Sequence, residues 1–107
     1  MKEKKIHSET ELEILRKIEQ NPRLTQRQIA EHMDLSVGKI NYMIKALLDK
    51  GLVKVKNFKR SDNKLGYLYH LTPEGVETKR KLTLMFLKRK SEEFDKLKRD
   101  IQRMDEP

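Results

Sequence analysis

The sequence predicts an α+β chain, mainly α, built of three helices, a two-stranded hairpin and one long C-terminal helix. Three observations carry this. Apolar residues recur at helical spacing as far as Lys50, and the period switches to two between Leu52 and Leu71. After Gly75 neither Pro nor Gly interrupts the chain until Pro107. With 107 residues, 36% hydrophobic, the chain can bury one modest core.

The elements follow in order. A first helix is expected to start near Ser8 or Thr10, because each has a Glu three residues on (Glu11, Glu13), the spacing of a capping box. Leu12, Leu15 and Ile18 give it one apolar stripe, and Asn21-Pro22 stops it. Thr25 with Gln28 opens a second helix, whose buried side takes Leu24, Ile29, Ala30 and Met33. A break at Asp34-Leu35-Ser36 leads to a third helix from about Val37 to Lys50, capped by Ser36 and ended by Gly51. Ile40, Ile44, Leu47 and part of Met43 face inward there. Strands are expected over Leu52–Phe58 and Gly66–Leu71, with Val53 and Val55 alternating with Lys54 and Lys56, and Tyr67, Tyr69 and Leu71 sharing a face. Arg60-Ser61-Asp62-Asn63-Lys64 makes the polar tip. Thr72-Pro73-Glu74-Gly75 starts the last helix, some 32 residues or about 48 Å long at the usual rise. Two units are expected, residues 8–72 and the helix 73–104.

Composition excludes several classes of function. There is no cysteine, so disulfides, thiolate catalysis and cysteine zinc sites are out. His7, His32 and His70 lie far apart with no ligand spacing, so no metal and no cofactor are expected. The serines lack nucleophile-elbow contexts and the four glycines form no phosphate loop, so an enzyme is not expected. With neither a membrane-spanning apolar run nor a leader pattern in Met1–His7, the expected location is the cytoplasm.

Net charge is +8, and its distribution says more than its size. Residues 36–70 hold eight Lys or Arg against two Asp, whereas residues 1–35 are balanced. The third helix carries Ser36, Val37, Gly38, Lys39, Asn41, Tyr42 and Lys45 on its solvent side, with no acidic residue among them. Lys39 and Asn41 suit base edges, Tyr42 suits sugar or a thymine methyl, and Gly38 permits close backbone approach to a phosphate. Lys59, Arg60, Asn63 and Lys64 on the hairpin would lie beside the minor groove or the backbone. Helix, short helix, tight turn, helix and basic hairpin together describe a winged helix-turn-helix, with double-stranded DNA as the expected partner. A protein-docking module would show an apolar or mixed-charge face on the third helix, which this face is not. An architectural factor coating DNA without sequence preference is the other alternative, separable by competition with random duplex.

The last helix carries a further pattern. With Leu87, Phe94 and Ile101 at heptad position a, Lys90, Leu97 and Met104 fall at d, the seam of a coiled coil. Leu87, Phe94, Leu97, Ile101 and Met104 are therefore the expected homodimer interface. Packing back onto the chain's own domain fits Val76, Leu82, Met85 and Phe86 better.

This combination resembles the MarR family of bacterial and archaeal regulators over about residues 10–90. The stretches that carry the likeness are Leu47-Leu48-Asp49-Lys50-Gly51-Leu52-Val53 and Leu71-Thr72-Pro73-Glu74-Gly75. Asp62-Asn63-Lys64 stands where the family commonly has Asp-x-Arg, so a point charge replaces a bidentate fork. Gly38-Lys39-Ile40-Asn41-Tyr42, Asn57-Phe58-Lys59 and Ser61-Asp62-Asn63-Lys64-Leu65 look most like a short subgroup associated with exopolysaccharide gene clusters. The resemblance implies a dimeric transcriptional regulator, most simply a repressor. Many relatives hold an aromatic ligand beneath a lobe built from helices at both chain ends. Here seven to nine residues precede the expected first helix, so no small-molecule effector is expected, and without cysteine no thiol switch.

Overall fold

The computed structural model describes residues 2–59, 62 and 65–106, with side chains from residue 8 onward except at position 65. Four helices and one hairpin follow in the order α1 (Lys2–Gln20), α2 (Gln26–Met33), α3 (Val37–Asp49), β1 (Val53–Lys59), β2 (Leu65–Leu71) and α4 (Pro73–Asp105). The α+β class and the element order agree with the expectation.

The start of α1 differs. The helix begins at Lys2, so Ser8 and Thr10 lie inside it and neither caps it. Lys2–His7 contains Lys and Glu, good helix formers, and no Pro or Gly, so the helix continues through the expected cap. The count of residues preceding a first helix falls with that cap.

Other local signals are realised as expected. At α2, Thr25 Oγ1 accepts from the Gln28 N–H at 3.1 Å while Gln28 Oε1 accepts from the Thr25 N–H at 2.9 Å. Asp34 takes a left-handed conformation (φ 54°) at the α2 terminus, and the Leu35 N–H returns to the Ala30 carbonyl at 2.9 Å, making the tight turn. Ser36 Oγ accepts from the Lys39 N–H at 3.0 Å, and Gly51 (φ +72°) ends α3.

The core lies where α1, α2 and α3 meet. Ile14, Leu15, Ile18, Ile29, Ile40, Met43, Ile44 and Leu47 are all essentially inaccessible. Each contributes roughly 1.5–3 kcal/mol of transfer free energy, which makes this cluster the main source of stability. Ile14 is a core residue that the expected stripe omitted, and Met43 is fully rather than partly buried.

The hairpin pairs β1 and β2 antiparallel, from Val53 opposite Leu71 to Lys59 opposite Leu65. Only its root enters the core. Val53 and Tyr69 are buried, while Val55, directly opposite Tyr69, and Tyr67, two residues further out on β2, are exposed. The ribbon outruns the three-helix body, so its alternation stops being an inside–outside pattern after the first cross-strand pairs.

The molecule measures 71 × 26 × 23 Å, with a radius of gyration of 18.1 Å. A compact chain of this length would have about 13 Å, and the difference is the projecting end of α4. The first half of α4 lies on α1, with a Lys79–Glu19 ion pair between them. Leu82 packs against the core and Phe86 is half-buried, whereas Val76 and Met85, expected on that same face, are exposed. At 100° per residue, Val76 and Met85 fall on either side of the Gly75–Leu82–Phe86 line.

The start of α4 is tightly constrained. A Cβ placed on the buried Gly75 would come within 1.9 Å of the Leu52 carbonyl oxygen, which is backbone and cannot swing aside. Gly75→Ala should therefore cost about 1–3 kcal/mol through overpacking. Urea denaturation at fixed protein concentration should show a lower midpoint with an unchanged slope. An unchanged midpoint would mean that α4 can slide off the Leu52 carbonyl at no cost.

Candidate nucleic-acid interface

The exposed surface of α3 is set by what its other side buries. Ile40, Met43, Ile44 and Leu47 turn inward, leaving Ser36, Val37, Gly38, Lys39, Asn41, Tyr42 and Lys45 exposed on the solvent side. All seven residues expected on this face are there. Tyr42 is 64% exposed, unusual for a large aromatic residue, and Lys39 Nζ stands 5.9 Å from its ring centroid. The pair places a cation and an aromatic edge side by side at the surface.

Gly38 is the most informative position on the helix. A Cβ there would meet nothing closer than Ser36 Oγ at 4.0 Å, so the protein's own packing does not require glycine. Glycine in an exposed helical turn costs up to about 1 kcal/mol relative to alanine. The open space in front of Gly38 faces outward, where a partner's backbone could approach.

Asn41 is tied into the fold behind it. Its Nδ2 donates to Gln26 Oε1 at 3.1 Å, and Gln26 Nε2 donates to the Tyr69 hydroxyl at 3.1 Å. A groove between α3 and the hairpin is lined by Gln26, Asn41, Val55, Tyr67 and Tyr69. On the other side of the hairpin, Arg23 lies over the Phe58 ring at 5.3 Å, beside Lys59. Arg23 and Gln26 were not anticipated from the sequence. They are near the surface only because the α1–α2 turn and the start of α2 are folded against the hairpin, and that proximity leaves no local signal.

Of the hairpin residues expected to contact DNA, Lys59 ends β1 and is exposed, while Arg60, Asn63 and Lys64 lie outside the described residues. The five expected interface residues of α4, Leu87, Phe94, Leu97, Ile101 and Met104, are between 59% and 80% exposed in the single chain. Stepping back by heptads from Lys90 puts Thr83 and the exposed Val76 on the same stripe. Among the described residues no helix is long and apolar enough to cross a membrane, and no three His, Asp or Glu side chains gather as a metal site needs.

Residues 7–54 match the family model described as winged helix-turn-helix DNA-binding. That span takes in α2, the Asp34 turn and α3. A search of curated proteins found no match. Among solved structures, MarR of Staphylococcus aureus in complex with salicylate and kanamycin is 22% identical at a TM-score of 0.60, over 89% of this chain and 67% of that one. A Mycobacterium tuberculosis MarR family protein in complex with p-aminosalicylic acid is 20% identical, with a TM-score of 0.61 over 89% and 73% of the two chains. A mutant of S. aureus MepR bound to an oligodeoxyribonucleotide is 20% identical, with a TM-score of 0.60 over 92% and 74%. Capping geometry, buried core, hairpin register and these likenesses agree: the chain has a winged helix-turn-helix fold, shared with MarR-family regulators, and over residues 7–54 it is similar to the winged helix-turn-helix DNA-binding family.

Proposed function

We propose that the protein is a sequence-specific, homodimeric transcriptional regulator of the MarR type, a repressor acting in the cytoplasm, that sets α3 into the major groove of double-stranded DNA. The observation that carries this reading is the exposed stretch of α3 from Ser36 to Lys45, which holds no acidic residue and has an unneeded glycine at its first turn. In a domain of this kind the third helix reads base edges while the hairpin rests on the backbone or minor groove. Lys39, Asn41 and Tyr42 are assigned to sequence preference, and Ser36, Val37, Gly38 and Lys45 to close approach and phosphate contact. Lys59, Arg60, Asn63 and Lys64 supply attraction along the hairpin. The oligonucleotide held by the MepR mutant supports this reading by analogy of fold. The motif Gly38-Lys39-Ile40-Asn41-Tyr42 supports a place in the short, exopolysaccharide-associated subgroup.

Selection from a random duplex pool tests the reading directly. A recovered inverted repeat, with half-sites about 10 base pairs apart, is the expected outcome. Equal binding to all duplexes would instead support an architectural role.

The reading also divides labour among residues. Asn41→Ala should relax preference at one base and cost about 1–3 kcal/mol at the preferred site. Lys59→Ala should weaken all duplexes alike and reduce the salt slope by about one unit. If Lys59→Ala changed the selected sequence and Asn41→Ala did not, the two assignments are exchanged.

Gly38→Ala separates fold from binding. Thermal unfolding should show equal or greater stability, because alanine favours the helix by up to about 1 kcal/mol and meets no neighbour. DNA affinity should fall, because the methyl group holds the backbone away. Undiminished affinity would remove the close-approach argument.

Dimerisation through α4 follows from the uncovered stripe Leu87, Phe94, Leu97, Ile101 and Met104, which a lone helix cannot bury. A Lys90–Glu93 pair interrupts its first turns at a d position, and an Asp100–Arg103 pair flanks its far end. The double variant Phe94→Ser with Ile101→Ser should be monomeric by light scattering and should lose operator affinity in step. A wild-type monomer at micromolar concentration would overturn the dimer.

The expectation of no small-molecule effector is not carried forward. Structures of the same fold hold salicylate and p-aminosalicylic acid.

A further inference from the structure

A chain of hydrogen bonds runs from the core to the α3 surface, and it has a direction. Tyr69 is 6% exposed, with its N–H on the Pro22 carbonyl at 3.2 Å and its ring in the core cluster. Its hydroxyl accepts from Gln26 Nε2, and Gln26 Oε1 in turn accepts from Asn41 Nδ2, both at 3.1 Å. Gln26 is the first residue of α2 after the Thr25 cap and is half-buried, so its backbone is fixed by the capping box. Two residues from two other elements thus hold the exposed Asn41 carboxamide in one orientation.

We infer that Gln26 and Tyr69 are positioning residues that set which base Asn41 reads, an inference that rests on α3 being the DNA-reading helix. A carboxamide can present its oxygen or its nitrogen to the relay. In the observed polarity Asn41 gives one N–H to Gln26 and keeps Oδ1 and a second N–H for a ligand. One acceptor beside one donor matches the N6 amino group and N7 of adenine in the major groove. The opposite polarity, with Tyr69 donating to Gln26 Oε1 and Gln26 donating to Asn41 Oδ1, leaves two N–H groups outward and suits the two acceptors of guanine. Side-chain amides on flexible stems normally choose by local competition. Here the Asn41 amide is held by Gln26, whose own amide is anchored on a hydroxyl in the core, 28 residues further along the chain than Asn41.

The test uses the full-length protein and the duplexes recovered by random-pool selection. The base read by Asn41 is the position whose preference Asn41→Ala removes, and it should be adenine in the wild type. Tyr69→Phe, which deletes only the hydroxyl, and Gln26→Met, which keeps the length, should each lower the adenine-over-guanine ratio there by about 5- to 10-fold. Affinity for random duplex and salt slope should be unchanged, while melting temperature falls by no more than the few degrees that one lost hydrogen bond costs. Gln26→Glu provides the rescue, because its carboxylate accepts from both Asn41 and the Tyr69 hydroxyl. It should keep the adenine preference while its added charge weakens all duplexes. Retained preference in Tyr69→Phe and Gln26→Met overturns the inference, as does an equal loss on every duplex, which marks a structural role. Guanine at the Asn41-dependent position overturns the assigned polarity. If the wild type selects no sequence at all, the DNA-reading function fails first and this inference falls with it.

Discussion

One backbone carbonyl, that of Leu52, holds the three working parts of the molecule in register. It accepts the Thr72 N–H at 3.0 Å and has Gly75 so close that no Cβ could fit between them. The same few residues close the end of α3, where the Leu52 N–H reaches the Leu47 carbonyl and Gly51 turns the chain through positive φ. Thr72 completes the knot by donating its hydroxyl to the Gly51 carbonyl at 2.6 Å while capping Gly75. The exit of α3, the root of the hairpin and the entry of α4 therefore share one rigid point. The angle between the α3 face and the α4 stripe is set there and cannot be adjusted independently.

That knot lets the protein leave two surfaces uncovered at once. The core is built almost wholly from one side of α1, α2 and α3, so the outer side of α3 adds little apolar burial and is free to carry Gly38, Tyr42 and a run of cations. The distal part of α4 is likewise anchored by its first turns, while its apolar stripe projects into solvent. An isolated two-stranded ribbon is marginal in water, and this one is held mainly at its root, by Val53 and Tyr69 in the core and the Tyr69 N–H on Pro22, with Arg23 over Phe58 further out. Its outer half is an arm, which accounts for exposed Tyr67 where strand alternation suggests burial.

Much of the site was legible because its residues obey local rules. The α3 face follows from a helical period with Ile40, Ile44 and Leu47 inward, which leaves Lys39, Asn41 and Tyr42 outward by geometry alone. The Asp34 turn and the Thr25, Ser36 and Thr72 caps follow from side chains that reach only two or three residues along the backbone. The start of α1 was misjudged for the same reason: a capping-box spacing at Ser8 and Thr10 is a permission, and the upstream residues were helix formers too. Val76 and Met85 were misassigned because two adjacent apolar faces on α4 overlap in sequence period, and only contact with α1 shows which one meets the core.

By itself, then, the sequence determined the element order, the caps of α2, α3 and α4, the outward residues of α3 from Ser36 to Lys45 and the heptad spacing of α4, since each depends on spacing within a few residues. Tertiary structure alone decided that Asn41 is tethered to Gln26 and Tyr69, that Arg23 stacks on Phe58, and that Gly75 must be glycine. Those contacts join residues 15 to 43 positions apart, where no periodicity links partners. Their energies exist only once the chain has closed around its core and brought the two ends of each contact together.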